Sequence, residues 1–155
     1  VFAVHANEAL ELINDPSENE IKILKNFEYK KNIGYLHNDD RLMPKRKNAW
    51  SSWNSILDKN ESKKNCVTYW LNKLQNLKTN KNYFLTLNPF ILIEDSKIIK
   101  KIEFTHPFYD MKTVNAQKYL SQLQGKNNSW FCGSYFGYGF HEDGLNSGID
   151  VSNKL

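Results

Sequence analysis

The spacing of apolar positions changes several times along this chain. The opening "VFAV" is β-branched and aromatic, which predicts a short buried strand over residues 1–4. Helical spacing follows. "NEALELI" predicts a short helix with Asn7 as N-cap, broken at Asp15-Pro16. Ser17 and Glu20 then have the spacing of a capping box, and Ile21, Leu24 and Phe27 recur at helical intervals through "ENEIKILKNF". From Glu28 the period shortens. "EYKKNIGYLHND" predicts a strand carrying Tyr29, Ile33, Tyr35 and His37, with Gly34 as a bulge. Residues 65–72, 82–89 and 97–110 predict three further strands, the last two ended by Asn-Pro and His-Pro. Helical spacing returns after Thr113, the predicted cap of "VNAQKYLSQLQ". Val114, Tyr119, Leu120 and Leu123 form its apolar face, and Gly125 stands where a left-handed C-terminal cap belongs. "SWFCG" predicts a short buried strand. "HEDGLNSGIDVSNKL" predicts a last helix, with acids at its start and Lys154 at its end. Helices and antiparallel-type strands in this order predict an α+β fold, an antiparallel or mixed sheet with flanking helices.

Composition narrows the function. The 155 residues carry 21 basic and 17 acidic side chains, but Arg41 and Arg46 are the only arginines. Proteins that read phosphate or base edges rely on the planar fork of arginine, so nucleic-acid binding is not expected. Cys66 and Cys132 are too few for a disulfide framework and unpaired in spacing, which predicts two buried, reduced thiols. No run of 18 apolar residues predicts a membrane span, and no leader is evident, so a cytoplasmic protein is expected. The strand-like start, without Met, leads us to expect a piece of a longer protein.

Several chemistries lack their signatures. His5, His37, His106 and His141 form no HxH or HxxxH pair, so no metal site is expected. No GxSxG occurs. Asp39-Asp40 and Glu94-Asp95 read as solvated loop acids, whereas Glu142-Asp143 fall at a helix start, where they complement its dipole. Lys45, Arg46 and Lys47 with Trp50 and Trp53 give an alternative function: a small basic module contacting RNA or anionic lipid through residues 45–53. The glycines are more telling. Five of the seven lie in "GSYFGYGFHEDGLNSG", residues 133–148. The string is neither GxGxxG, since position 142 is Glu, nor a Walker A loop. Its layout is strand, glycine, aromatic loop, glycine, helix start. A helix start exposes N–H groups to electron-rich atoms, and glycine lets a flat ligand lie against the backbone. Gly144 and Gly148, four apart on one face, predict close packing on a neighbour.

This layout resembles the C-terminal end of flavin-dependent amine oxidases and the related phytoene desaturase-like oxidoreductases. "LMPKRKNAWSSWN", "VTYWLNKLQ", "LTLNP", "HPFYD" and "WFCGSYFGYGFHEDGLNSG" resemble the phrases of a bacterial branch described as predicted NAD/FAD-binding proteins. The resemblance covers essentially the whole chain, and its last motif is the most specific. It implies an FAD-dependent oxidoreductase that removes a hydride from a C–N or C–C bond of an unknown small-molecule or lipid-like substrate, with peripheral membrane contact left open. It implies that residues 1–13 and 126–155 belong to a Rossmann-like FAD domain and residues 14–125 to a substrate domain. By position, Gly133 would approach the diphosphate–ribityl region. Ser134 stands where relatives often carry an acid. Gly139, Phe140, His141 and Glu142 would line the flavin ring, with the His141 N–H directed at its pyrimidine oxygen. Trp70, Tyr83, Tyr135 and Tyr138 are aromatic candidates for the substrate face, with core packing the competing role. The N-terminal βαβ unit with its GxGxxG cradle is not in this sequence, so the resemblance implies a missing FAD-binding segment of the same protein.

Overall fold

Local capping sets the first helices. In the computed structural model, which describes residues 1–58 and 65–155, α1 spans Ala6–Leu12 and α2 spans Glu18–Leu24. The predicted capping box starts α2: Ser17 Oγ accepts the Glu20 N–H, and Glu20 Oε2 accepts the Ser17 N–H at 2.7 Å. α1 begins earlier than predicted. His5, not Asn7, is its N-cap, and the Glu8 carboxylate three residues on accepts the His5 N–H at 3.1 Å. Leu24 and Phe27 are buried as predicted, and Ile23 is buried in place of Ile21, which is exposed.

The chain packs as two compact units. One joins both ends, Val1–Lys30 with His106–Leu155; the other is Lys31–Thr105. The core of the first contains Leu24, Phe27, Leu120, Leu123, Phe131 and Tyr135. The two strands predicted at residues 1–4 and 129–133 reduce to a single parallel bridge between Phe2 and Phe131, whose rings stack at 5.2 Å. Too few backbone groups pair there to extend a ladder, and Val1 is exposed.

Among the described residues, one sheet has five strands: β1 (Glu28–His37), β2 (Trp53–Leu57), β3 (Asn65–Trp70), β4 (Phe84–Leu87) and β5 (Ile98–Phe108). Their order is β2-β3-β4-β1-β5, and β2–β3, β3–β4 and β4–β1 pair antiparallel. The fold is α+β. β5 is an edge strand, and its charged residues Lys100, Lys101 and Glu103 are exposed, as an unpaired edge requires. Gly34 is not a bulge. It sits in register opposite Leu87, and a Cβ there would stand 2.6 Å from the Phe104 ring. The glycine makes room for an aromatic side chain on the sheet.

A one-turn helix, α3 (Leu71–Leu74), follows β3. α4 spans Met111–Gln117 and α5 spans His141–Ser152. Asp110 caps α4 by accepting the Thr113 N–H at 2.9 Å. Thr113, the predicted cap, is inside the helix and buried, and its Oγ1 donates to the Asn26 carbonyl at 2.8 Å. Leu120 and Leu123 are buried as predicted, in a 3-10 turn, while Val114 and Tyr119 face outward. Gly125 has the expected positive φ, +71°.

Trp50 is built into the core of the second unit. Its Nε1 donates to the Pro44 carbonyl at 2.8 Å, and its ring meets Phe84 and Trp70 edge-on. Two buried polar groups cross this unit. His37 is fully buried, with its Nδ1 accepting the Asp39 N–H and its Nε2 2.8 Å from Thr86 Oγ1. Thr86 Oγ1 lies 2.8 Å in turn from Thr68 Oγ1. Asp39, read from sequence as a solvated loop acid, has a fully buried side chain. Arg41 binds it in a two-pronged pair, and Lys97 lies 3.7 Å away. Glu94 closes the cluster at 3.3 Å from both Arg41 and Lys97. The hydrogen bonds from Arg41 hold the Asp39 carboxyl well below the usual carboxylate range.

Candidate functional site

Residues 133–142 form one folded loop that runs into α5. Gly133 has φ 155° and ψ 170°, a conformation essentially restricted to glycine. A Cβ there would stand 2.7 Å from the buried Tyr135 ring. The Gly133 N–H donates to Ser147 Oγ at 2.9 Å, and its carbonyl accepts the Phe136 N–H at 3.1 Å. A 3-10 turn, Ser134–Phe136, follows. The Ser134 carbonyl accepts the N–H groups of Gly137 and Gly139, both at 3.1 Å. Gly139 reaches this bond with φ +90°, and a Cβ there would stand 3.0 Å from the Tyr109 hydroxyl. The loop is therefore closed on itself before the helix starts.

Three side chains hold this loop, and two of them, Gln117 and Tyr109, were not foreseen from the sequence. Gln117 Nε2, from α4, donates to the carbonyls of Tyr135 (3.0 Å) and Gly137 (2.6 Å). Tyr109 Oη makes a long contact, 3.5 Å, to the Ser134 carbonyl. Burial pushes the Tyr109 phenol up to about 12, so it stays a neutral donor. Asp143 Oδ2 accepts the N–H groups of Tyr138 (3.0 Å) and Phe140 (2.9 Å). The sequence held a signal for Asp143 alone. It lies three residues after Phe140, the acid position of a capping box.

All six residues singled out for a cofactor belong to this loop and helix start. Gly133, Ser134 and Gly139 are half-buried; Phe140, His141 and Glu142 are exposed. Phe140 is the N-cap of α5. It has no side-chain oxygen to satisfy the first-turn N–H groups, and Asp143 turns back to the loop. The N–H groups of His141 and Glu142 therefore open the helix with its positive end outward. Phe140 and Tyr138 present rings at the same end, 62% and 85% exposed. A Cβ on Gly144 would lie 3.6 Å from the Ser134 nitrogen, in ordinary contact, whereas a Cβ on Gly148 would meet nothing within 4 Å beyond its own helix.

The aromatic candidates separate. Tyr135 is buried against Phe27 and Phe136, and its hydroxyl has no hydrogen-bond partner. Trp70 packs edge-on against Trp50 and donates to Asn82. Tyr83 is half-buried, and Tyr138 is in solvent. Among the described residues, no three His, Cys, Asp or Glu side chains converge, and no helix is long and apolar enough to cross a membrane. Cys66 and Cys132 are buried free thiols, and burial pushes both upward in pKa. In the stretch 45–53, Lys45, Arg46, Lys47 and Trp53 are exposed and Trp50 is not.

No protein-family model matches this chain, and no curated protein matches it.

Proposed function

We propose that residues 133–142 seat the isoalloxazine ring of FAD, and that this chain supplies the ring side of the site in a cytoplasmic flavin-dependent oxidoreductase of amine oxidase type. One observation carries the reading. A backbone conformation essentially restricted to glycine, at Gly133, leads through a self-closed loop into a helix whose first N–H groups have no capping oxygen. A flat, electron-rich ligand matches that surface. Gly133 and Gly139 allow close approach, Phe140 and Tyr138 offer aromatic faces, and the His141 and Glu142 N–H groups favour a carbonyl oxygen or negative charge. The flavin, once bound, supplies hydride acceptance from a C–N or C–C bond. The chain's part is to hold the ring and stabilise charge at its pyrimidine edge. Ser134 and the exposed Glu142 side chain complete the lining. The donors present fit the ring and not the diphosphate, for which the sequence has no GxGxxG cradle.

The alternative basic module at residues 45–53 is less well supported. Trp50, which a stacking platform would need, is committed to the core.

A half-site binds weakly. FAD mixed with the purified chain is expected to separate from it on gel filtration, with a dissociation constant of roughly 0.1–1 mM, about −5 kcal/mol. Co-elution of stoichiometric FAD would overturn the proposal that a second segment holds the diphosphate.

A further inference from the structure

A groove away from the loop of residues 133–142 gathers three lysines. It lies in the first unit between α2 and α4, and its volume is about 560 Å³. Asn19, Lys22, Ile23 and Asn26 line one side, at i, i+3, i+4 and i+7. Lys112, Asn115, Ala116 and Tyr119 line the other at the same spacing. Ile23 and Ala116 are buried at the floor, and the polar side chains, with the Tyr119 ring, form the exposed rims. Lys25 adds a third ammonium, and Gln122 completes the lining; it contains no carboxylate. Asp110, at the start of α4, offsets part of the Lys112 charge, and the remaining positive excess in the groove favours an anion.

The walls are fixed. Thr113 Oγ1 donates to the Asn26 carbonyl across the base, and the Ser17–Glu20 box anchors the far end of α2. The amides are also oriented by their other bonds. Asn26 Nδ2 donates to the carbonyl of Lys22 at 2.6 Å, which leaves Oδ1 as an acceptor. Asn115 Oδ1 accepts from Lys118 at 3.1 Å, which leaves its NH₂ group as a donor. One acceptor, one donor and three cations match a hydroxyl-bearing body with an anionic group. The volume falls in the ~300–1,000 Å³ range of small-molecule sites, too large for phosphate alone.

We propose that this groove binds a small phosphorylated, hydroxyl-rich metabolite, with the phosphate held by Lys22, Lys25 and Lys112. This site is separate from the flavin seat and does not depend on it.

Ribose 5-phosphate, ribose and inorganic phosphate, titrated separately into the ¹⁵N-labelled chain, test the assignment. Ribose 5-phosphate is expected to shift amides of residues 19–26 and 112–122 saturably. The double variant Lys22→Gln/Lys112→Gln changes two exposed side chains, is expected to stay folded by its ¹⁵N spectrum, and is expected to bind it at least tenfold more weakly, as losing charge-assisted bonds implies. The surface control Lys73→Gln/Lys78→Gln is expected to bind as wild type. Absence of a saturable shift, equal binding by ribose or by inorganic phosphate, or undiminished binding by the groove variant would overturn it.

Discussion

Replacing Gly133 by alanine is expected to destabilise the protein by about 3 kcal/mol. Two costs combine. An L-residue at φ 155° and ψ 170° carries strain of roughly 1–3 kcal/mol. The added Cβ would stand 2.7 Å from the Tyr135 ring, and Tyr135 is 1% exposed, so the ring has no room to yield. Overpacking of this kind costs roughly 1–3 kcal/mol. Gly148 supplies the contrast. It lies within α5, where a Cβ would meet nothing within 4 Å beyond its own helix, so Gly148→Ala is expected to gain up to about 1 kcal/mol from helix propensity. Urea midpoints of the two variants should move in opposite directions. A neutral Gly133→Ala would mean that the loop does not need its glycine.

Acid is expected to weaken the fold in two steps. The buried His37 takes its proton in the folded state only near pH 4, because burial opposes the charged ring. In the unfolded chain it takes one near 6.5. Between those values the unfolded state binds the extra proton, so stability falls as pH falls from 6.5 to 4. Allowing for screening, the loss is about 2 kcal/mol. Asp39 acts below that window. Its folded carboxyl is held under its usual 3.8, so its contribution is present above about pH 4 and drains away as pH falls further. Urea midpoints between pH 7.5 and 3 measure both. His37→Gln keeps an amide for Thr86 and the Asp39 N–H. It is expected to flatten the upper step and leave the lower one. An unchanged slope between pH 6.5 and 4 in that variant would remove His37 from the account.

What the sequence made legible was local. Ser17 and Glu20 are three residues apart, and their box formed as read. Gly125 took its left-handed cap, and the helix from His141 began where its acids cluster. The errors arose where distant residues decide the outcome. Gly34 read as a bulge because its reason, the Phe104 ring, arrives seventy positions later on another strand. Asp39 read as solvated although its main partner, Arg41, is two residues away; Glu94 and Lys97, which complete the cluster, arrive more than fifty positions later. Residues 1–4 have strand composition, but only Phe2 finds a partner. The candidate site divides the same way. Its glycines and helix start were visible as a string. The groups that shape it, Gln117, Tyr109 and Ser147, were not, because each reaches the loop from another part of the chain.

That division bears on the loop's role. His141, Glu142 and Asp143 stand side by side at the start of α5. Asp143 is occupied as a cap, and His141 and Glu142 offer backbone N–H groups at the mouth of a helix. The proposed chemistry therefore rests on the backbone, and it should survive His141→Ala far better than a change at Gly133.

An amide-resolved titration with riboflavin, which carries the ring and ribityl chain without the diphosphate, tests the flavin seat most directly. Weak, saturable shifts are expected at Gly133, Ser134, Gly139, Phe140, His141 and Glu142. These shifts should be absent in Gly133→Ala, while the amides of Lys22 and Lys112 stay still. No shift at those six positions up to the solubility limit, or shifts confined to other surfaces, would contradict it.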